Sequence, residues 1–517
     1  MGVAAVLVLF LASFAASAEA SALHLKGGVV VNADQETLAD LLIDNGKVLE
    51  VGPPGSLMAP DAEVIDASGK YIMPGGIDTH THLDSLFMGQ NTPDDFFSGQ
   101  AAALAGGTTC HLDMVMPQKG GDILGGYARY REAAKRSVMD YSFHIVITHW
   151  NDQVEEAMGK LVEQGLQSFK FFMAYKGKLQ VSDELLAHAF RRCRQLGAIP
   201  LVHAENGDAI DKEQQRLIKA GITGPEGHQL SRPPIVEEEA TFRAVMFANL
   251  ANVPLFVVHV MSRGAMEVIA KARTAGQRVI GETLASAIGL NQSLIWSSDF
   301  TTASKFVMSP PIRTEEHRLA VRAGLAGGAL QLVATDHCGW TSAQKALGRE
   351  SFLKMPNGVN GIEERMHVAW QQLINSGLAS PSRFVEVTST AAAKVFNLYP
   401  QKGVIQAGAD ADVILLDPNA EHTISASSHH SKGDINIFEG NKIRGKVVMT
   451  ISQGKVVWDG SSLHVQRGAG RFLPRPAFGD LYKGLDERDA IRSAEMYPYG
   501  PVPVKRDLAA LHAKQEL

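Results

Sequence analysis

The middle of this chain alternates eight short apolar runs with amphipathic stretches, and that alternation restricts its fold more than any other feature. The runs are IDTHTH, TTCHLDMVM, SFHIVITHW, SFKFFMAY, AIPLVHAEN, PLFVVHVMS, RVIGETL and LQLVATDHC. Between them lie segments of helical period such as SDELLAHAFRRCRQLG and RGAMEVIAKARTAG. Strands that alternate with helices pair in parallel through crossovers. Eight such units in series predict an α/β fold, a TIM-like (β/α)8 barrel over residues 76–395. No Gly-x-Gly-x-x-Gly or Walker pattern follows any of the runs, so a nucleotide-binding open sheet is not expected.

The flanks have a different texture. LHLKGGVVVNAD, ADLLIDNGKVLEVGPPG and EVIDASGKYIMPG before the barrel, and GADADVILLDPN and IRGKVVMTISQGKVVWDG after it, read as short strands with turns. Residues 21–75 and 396–466 are therefore expected to form one small discontinuous β-sandwich domain. Residues 467–517 are rich in Pro, Arg and Tyr and poor in apolar periodicity. They read either as a tail that contacts another subunit or as a segment without fixed structure. Residues 1–20 carry an apolar run and then an A-x-A arrangement, the pattern of a secretory signal peptide. Such a leader implies the endomembrane system, for instance the endoplasmic reticulum, or export; an uncleaved anchor or a misassigned start, with a cytoplasmic protein, is the alternative. No other segment is long and apolar enough to span a bilayer. With a net charge of −6 and no basic run, a nucleic-acid surface is not indicated. Three cysteines, Cys110, Cys193 and Cys338, are too few for a disulfide framework and read as free thiols.

Ionisable residues cluster at the ends of the apolar runs. His80 and His82 are two apart on the first strand and so point the same way. His203 and His259 close the fifth and sixth strands, and Asp336 closes the eighth. Each histidine alone reads rather as a satisfied core residue. Together they sit where the catalytic groups of such barrels gather, and they are suitable ligands for zinc or a similar divalent ion. Lys170 interrupts the fourth run, SFKFFMAY. A bare ammonium there would lose its hydration. Either the strand exposes one face, or burial favours the neutral amine, which can add carbon dioxide to become a carbamate that bridges two cations.

The set GGIDTHTHLD, SFKFFMAYKG, VHAENGD, VVHVMS, MSPPIR, ATDHC and PNGVNGIEERM resembles the cyclic amidohydrolases, the family of dihydropyrimidinases and hydantoinases. The likeness runs from Lys26 to about Gly460 with the motifs in family order. DDFFSGQAAALAGGTT and GITGPEGHQLSRPP are most similar to dihydropyrimidinases of plant type. The resemblance implies a metal-dependent hydrolase barrel with two divalent ions, usually zinc. His80, His82 and Asp336 would hold one ion and His203 and His259 the other, with Lys170, as N6-carboxylysine, bridging them. It implies that Tyr175 stands at the reacting carbonyl and that Ser309 and Asn357 contact the ring amide; on sequence alone these read as a packing aromatic and two turn residues. Asp336 would relay the proton of a hydroxide held between the cations. The implied reaction opens 5,6-dihydrouracil or 5,6-dihydrothymine to an N-carbamoyl β-amino acid, in pyrimidine breakdown. A hydantoinase or allantoinase-like activity is the alternative ring chemistry, and a metal-free scaffold protein the alternative class. A homotetramer is the assembly the resemblance implies. Gly339 and Trp340, after TDHC, depart from the family's usual residues.

Overall fold

The computed structural model describes residues 22–117 and 120–496, and the expected leader falls outside them. Eight parallel strands form the expected barrel. They are β6 (Gly76–Thr81), β9 (Thr108–Val115), β10 (Asp140–Val146), β11 (Ser168–Phe172), β12 (Ile199–His203), β13 (Leu255–Val257), β14 (Val279–Leu284) and β15 (Leu332–Ala334). Each pairs with the next in chain order. The ring is drawn shut where the His82 amide donates to the His337 carbonyl at 2.9 Å. Nearly every strand residue is buried, because helices cover the outside and side chains fill the inside. A short hairpin, β7 (Leu86–Phe87) with β8 (Gln90–Asn91), lies beyond the first barrel strand.

The flanking segments build one eight-stranded sheet. Its strands are β1 (Leu23–Val31), β2 (Glu36–Asp44), β3 (Lys47–Gly52), β4 (Glu63–Asp66), β5 (Tyr71–Pro74), β16 (Val413–Thr423), β17 (Lys442–Ser452) and β18 (Lys455–Trp458). The order is β18-β17-β16-β5-β1-β2-β3, with β4 beside β1, so early and late pieces meet at the antiparallel β5–β16 pair. Leu25, Leu41, Ile43, Ile72, Val413 and Ile451 belong to its own apolar core, separate from that of the barrel.

A charge cluster around the buried Lys402 rivets sheet, barrel and tail together. Lys402 Nζ lies 2.6 Å from Asp140 at the start of β10 and 2.9 Å from Asp410, and it also contacts Asp412. Arg471 reaches Asp140 at 2.7 Å and Asp410 at 3.1 Å, and Lys47 reaches Asp410 at 2.6 Å. Three carboxylates thus meet three cations. Burial opposes the charge on Lys402, but Asp412, Asp140 and Asp410 outweigh it and raise its pKa.

The tail, as far as it is described, packs on its own barrel. The Tyr141 amide donates to the Arg471 carbonyl, and the Leu473 amide to that of Tyr141. Arg475 is fully buried beside Ser142 and the Phe143 carbonyl. Tyr482 donates to the Ala198 carbonyl at 2.5 Å. These anchors are polar, so apolar periodicity did not announce them. The His429–His430 pair is likewise engaged: His429 contacts the Gly433 carbonyl at 2.8 Å and His430 contacts Glu363 at 2.9 Å.

Lys402→Met would leave the buried aspartates short of a cation. A loss of about 3–5 kcal/mol of stability is expected, the scale for breaking a buried ion pair, measurable as a drop in the denaturant midpoint.

Candidate active site

The site residues stand where each barrel strand hands over to its helix. His203 ends β12, and three residues later Asn206 caps the helix Gly207–Lys219, its Oδ1 accepting from the Ala209 amide at 3.0 Å. His259 follows β13, and three residues later Ser262 caps the helix Arg263–Thr274. These short connections hold the imidazoles at the carboxyl ends of the strands. His259, Asp336 and Tyr175 have φ of 42°, 51° and 65°, a left-handed backbone that non-glycine residues seldom adopt. Such conformations cost of order ~1–3 kcal/mol each and persist where the surroundings over-determine them.

The expected ligand residues converge. Donor atoms of His80, His82 and Asp336 all lie within 4.8 Å of one another. Nε2 of His80 is 3.2 Å and Nε2 of His82 3.0 Å from Oδ1 of Asp336. The His259 ring stacks on His80 at 5.3 Å and meets His203 edge-on at 4.5 Å. Lys170 is fully buried, and its Nζ has no hydrogen-bond partner. The strand therefore does not expose a face. Burial lowers the pKa of Lys170 to about 7, although Asp336 and Glu282 oppose the fall. Burial opposes ionisation of Asp336, yet His80 and His82 outweigh it and hold the carboxyl at about 2.

Two carboxylates that sequence reasoning missed orient the histidines. Glu282, fully buried in β14, accepts from Nδ1 of His80 at 2.9 Å, from the His259 amide at 3.2 Å and from the Thr79 hydroxyl. Glu205 lies 2.7 Å from Nε2 of His203 and 2.5 Å from Arg232. Each engages one ring nitrogen of its histidine, the usual support for a metal-binding imidazole, and the other nitrogen of His80 faces Asp336. Glu282 had the same signal as Lys170, an isolated charge in an apolar strand (VIGETL).

The cavity above this cluster is lined by Tyr175, Ser309, Asn357, Phe87, Met116 and Cys338 among others. The Tyr175 hydroxyl is hydrogen-bonded with Ser309 and Asn357, and burial pushes its pKa up to about 12, so it stays a neutral donor. Asn357 Nδ2 donates to Ser309 Oγ at 3.1 Å. His337 points elsewhere, to Asp94 at 3.1 Å. His111 and His144 are held in hydrogen bonds with Thr81, Gln100, Ser168 and the Thr79 carbonyl. All three cysteines are free and buried.

The chain is similar to known proteins over most of its length. The amidohydrolase family model matches residues 71–457. A dihydropyrimidinase of Arabidopsis thaliana is 52% identical over 467 residues, covering 90% of this chain and 88% of its own. A crystal structure of dihydropyrimidinase from Brevibacillus agri is similar at a TM-score of 0.87 and 41% identity, covering 89% of this chain and 99% of that one. For a D-hydantoinase from Bacillus sp. AR9 the TM-score is 0.85 with 40% identity over 89% and 100% of the two chains. The chain belongs to the amidohydrolase family. Within it, the chain groups with the dihydropyrimidinases and hydantoinases, and it is a cyclic amide hydrolase.

Glu282→Gln keeps the shape of the side chain and removes the charge that orients His80. Affinity for a divalent ion is expected to fall about 10–100-fold, read by competition with a chromogenic chelator; unchanged affinity would remove Glu282 from the centre.

Proposed function

We propose that this protein hydrolyses the ring of 5,6-dihydrouracil and 5,6-dihydrothymine to N-carbamoyl β-amino acids. His80, His82, Asp336, His203 and His259 would hold two divalent cations, zinc being the expected metal, with carboxylated Lys170 between them. One observation carries the reading: a buried amine without a hydrogen-bond partner, whose charge acts on His82, His203, His259 and Asp336 alike. A neutral amine adds carbon dioxide with loss of one proton, giving an anion with two oxygens. The donor set of imidazoles and carboxylates suits such ions.

When bound, the ions would supply a Lewis acid and a water of lowered pKa. The rest is done by the chain. Tyr175, neutral and within reach of Ser309 and Asn357, donates to the carbonyl oxygen as charge builds on it. The Asp336 carboxylate takes the proton of the attacking water and passes it to the ring nitrogen as the carbon–nitrogen bond breaks. Main-chain groups at Ser309 and Asn357 hold the ring amide. Phe87 packs edge-on against Tyr175 at 5.5 Å and helps exclude water. The 52% identity to a plant dihydropyrimidinase favours the six-membered ring.

A comparison of dihydrouracil, hydantoin and allantoin turnover by the metal-loaded protein tests the choice of ring; dihydrouracil should give the highest kcat/KM, and a preference for either other ring rejects it. Lys170→Ala should lose both bound metal and activity, with partial rescue by short carboxylic acids. Wild-type turnover by that variant would sink the carbamate.

Self-association is part of the same proposal. On the helix Pro234–Ala251, Ile235, Phe242, Met246 and Leu250 share one face and are 40–61% exposed. Such a stripe on a surface helix suits burial against other copies of this chain, in line with a homotetramer. Phe242→Glu with Leu250→Glu should shift the sedimentation coefficient toward that of a monomer; an unchanged value rejects this helix as the contact.

A further inference from the structure

Two loops, residues 307–309 and 356–358, bring Ser309, Asn357 and Gly358 to the cavity that the histidines also line, and neither lies in a helix or long strand. One side chain reaches both. Lys345 ends the short helix Ser342–Lys345 and is 1% exposed. Its Nζ donates to the carbonyls of Val307, Pro356 and Gly358, each at 2.8 Å. Pro356 and Gly358 bracket Asn357, and Val307 lies two residues before Ser309.

Three carbonyls at equal distance call for three N–H donors. An ammonium has three and a neutral amine two, so this arrangement selects the charged form. Burial pulls the pKa of Lys345 down to about 7, and the carbonyls oppose that fall because each can only accept. The seat is built locally. In the capping box before Lys345, the Gln344 amide donates to Thr341 Oγ1 at 3.2 Å and the Thr341 amide to Gln344 Oε1 at 3.0 Å. Trp340, one of the two residues that depart from the family's usual pattern, adds a tether: its indole N–H donates to the Asn357 carbonyl at 3.0 Å. Gly358 closes the loop at φ 131°, where a Cβ would meet the Cys338 carbonyl at 2.5 Å. Asn357 is thereby fixed through its own carbonyl and those of both neighbours.

We propose that Lys345 is a positioning residue for the substrate, its ammonium setting the spacing between the Ser309 and Asn357 loops and so the fit of the ring amide. This rests on the reading of Ser309 and Asn357 as ring contacts. Lys345 touches neither the histidine cluster nor Asp336, so its loss should act on substrate binding and leave the metal centre alone.

The test uses the metal-loaded full chain. Lys345→Met should raise KM for dihydrouracil about tenfold, while kcat changes less than about threefold and metal content stays at the wild-type level. Lys345→Ala opens a seat for a small cation, and added ethylammonium should bring its KM back toward wild type without affecting the wild-type protein. A folded, metal-loaded Lys345→Met with wild-type KM overturns the proposal. So does a Lys345→Ala protein in which ethylammonium restores solubility or melting temperature but leaves KM high, the mark of a purely structural role. Should Lys345→Met not fold, the ethylammonium comparison decides alone. A wild-type protein inactive on every cyclic amide overturns the substrate reading, and the clamp's role with it; an active wild type beside unaffected variants overturns the clamp only.

Discussion

A charge taken out of water must be balanced, hydrogen-bonded or removed, and this fold meets that constraint differently at three buried lysines. Lys402 is balanced by aspartates from the barrel and the β sheet. Lys345 keeps its charge by filling three carbonyls. Lys170 has neither, and its amine stands bare among imidazoles. The three lie at three different places: the junction of sheet and barrel, the loops over the cavity, and the histidine cluster. The stability of the junction, and the proposed substrate fit and chemistry, thus rest on how one kind of side chain is accommodated.

The cluster is also rigid by construction. Glu282 fixes both the His80 ring and the His259 main chain, and Glu205 fixes His203 through an ion pair with Arg232. Glu237 accepts from the amides of Met261 and Ser262, just past His259, and pairs with Arg313 at 3.0 Å. Glu237 belongs to the helix whose opposite face carries the exposed apolar stripe. One helix therefore supports the connection after His259 on its inner side and carries the exposed apolar stripe on its outer side. The backbone strain at His259, Asp336 and Tyr175 is tolerable because these supports converge on the same short connections.

Much of this could be read from the chain because barrels write their order into sequence. Each apolar run became a strand, and residues closing the runs met at one mouth, since parallel strands with buried faces put like positions at the same end. The oddity of Lys170 was visible for the same reason: polarity inside an apolar strand has no periodic excuse. What stayed hidden was pairing across distance. Glu282 serves His80 from two hundred residues away, Arg475 anchors the tail through polar contacts, and Lys345 looks like an ordinary helix-end lysine until its three carbonyls are seen. Hydrophobic pattern reports which face is buried; it carries no record of which buried polar group will meet another.

The β5–β16 pair has a consequence for biosynthesis. β5 finishes at Pro74, but its antiparallel partner begins at Val413, so on a ribosome adding ~5–20 residues per second one side of β5 waits roughly 20–70 s for company. During that interval a nascent chain displays an open strand edge of Tyr-Ile-Met-Pro, the kind that recruits strangers. The edge is covered only once the strand beginning at Val413 has been made.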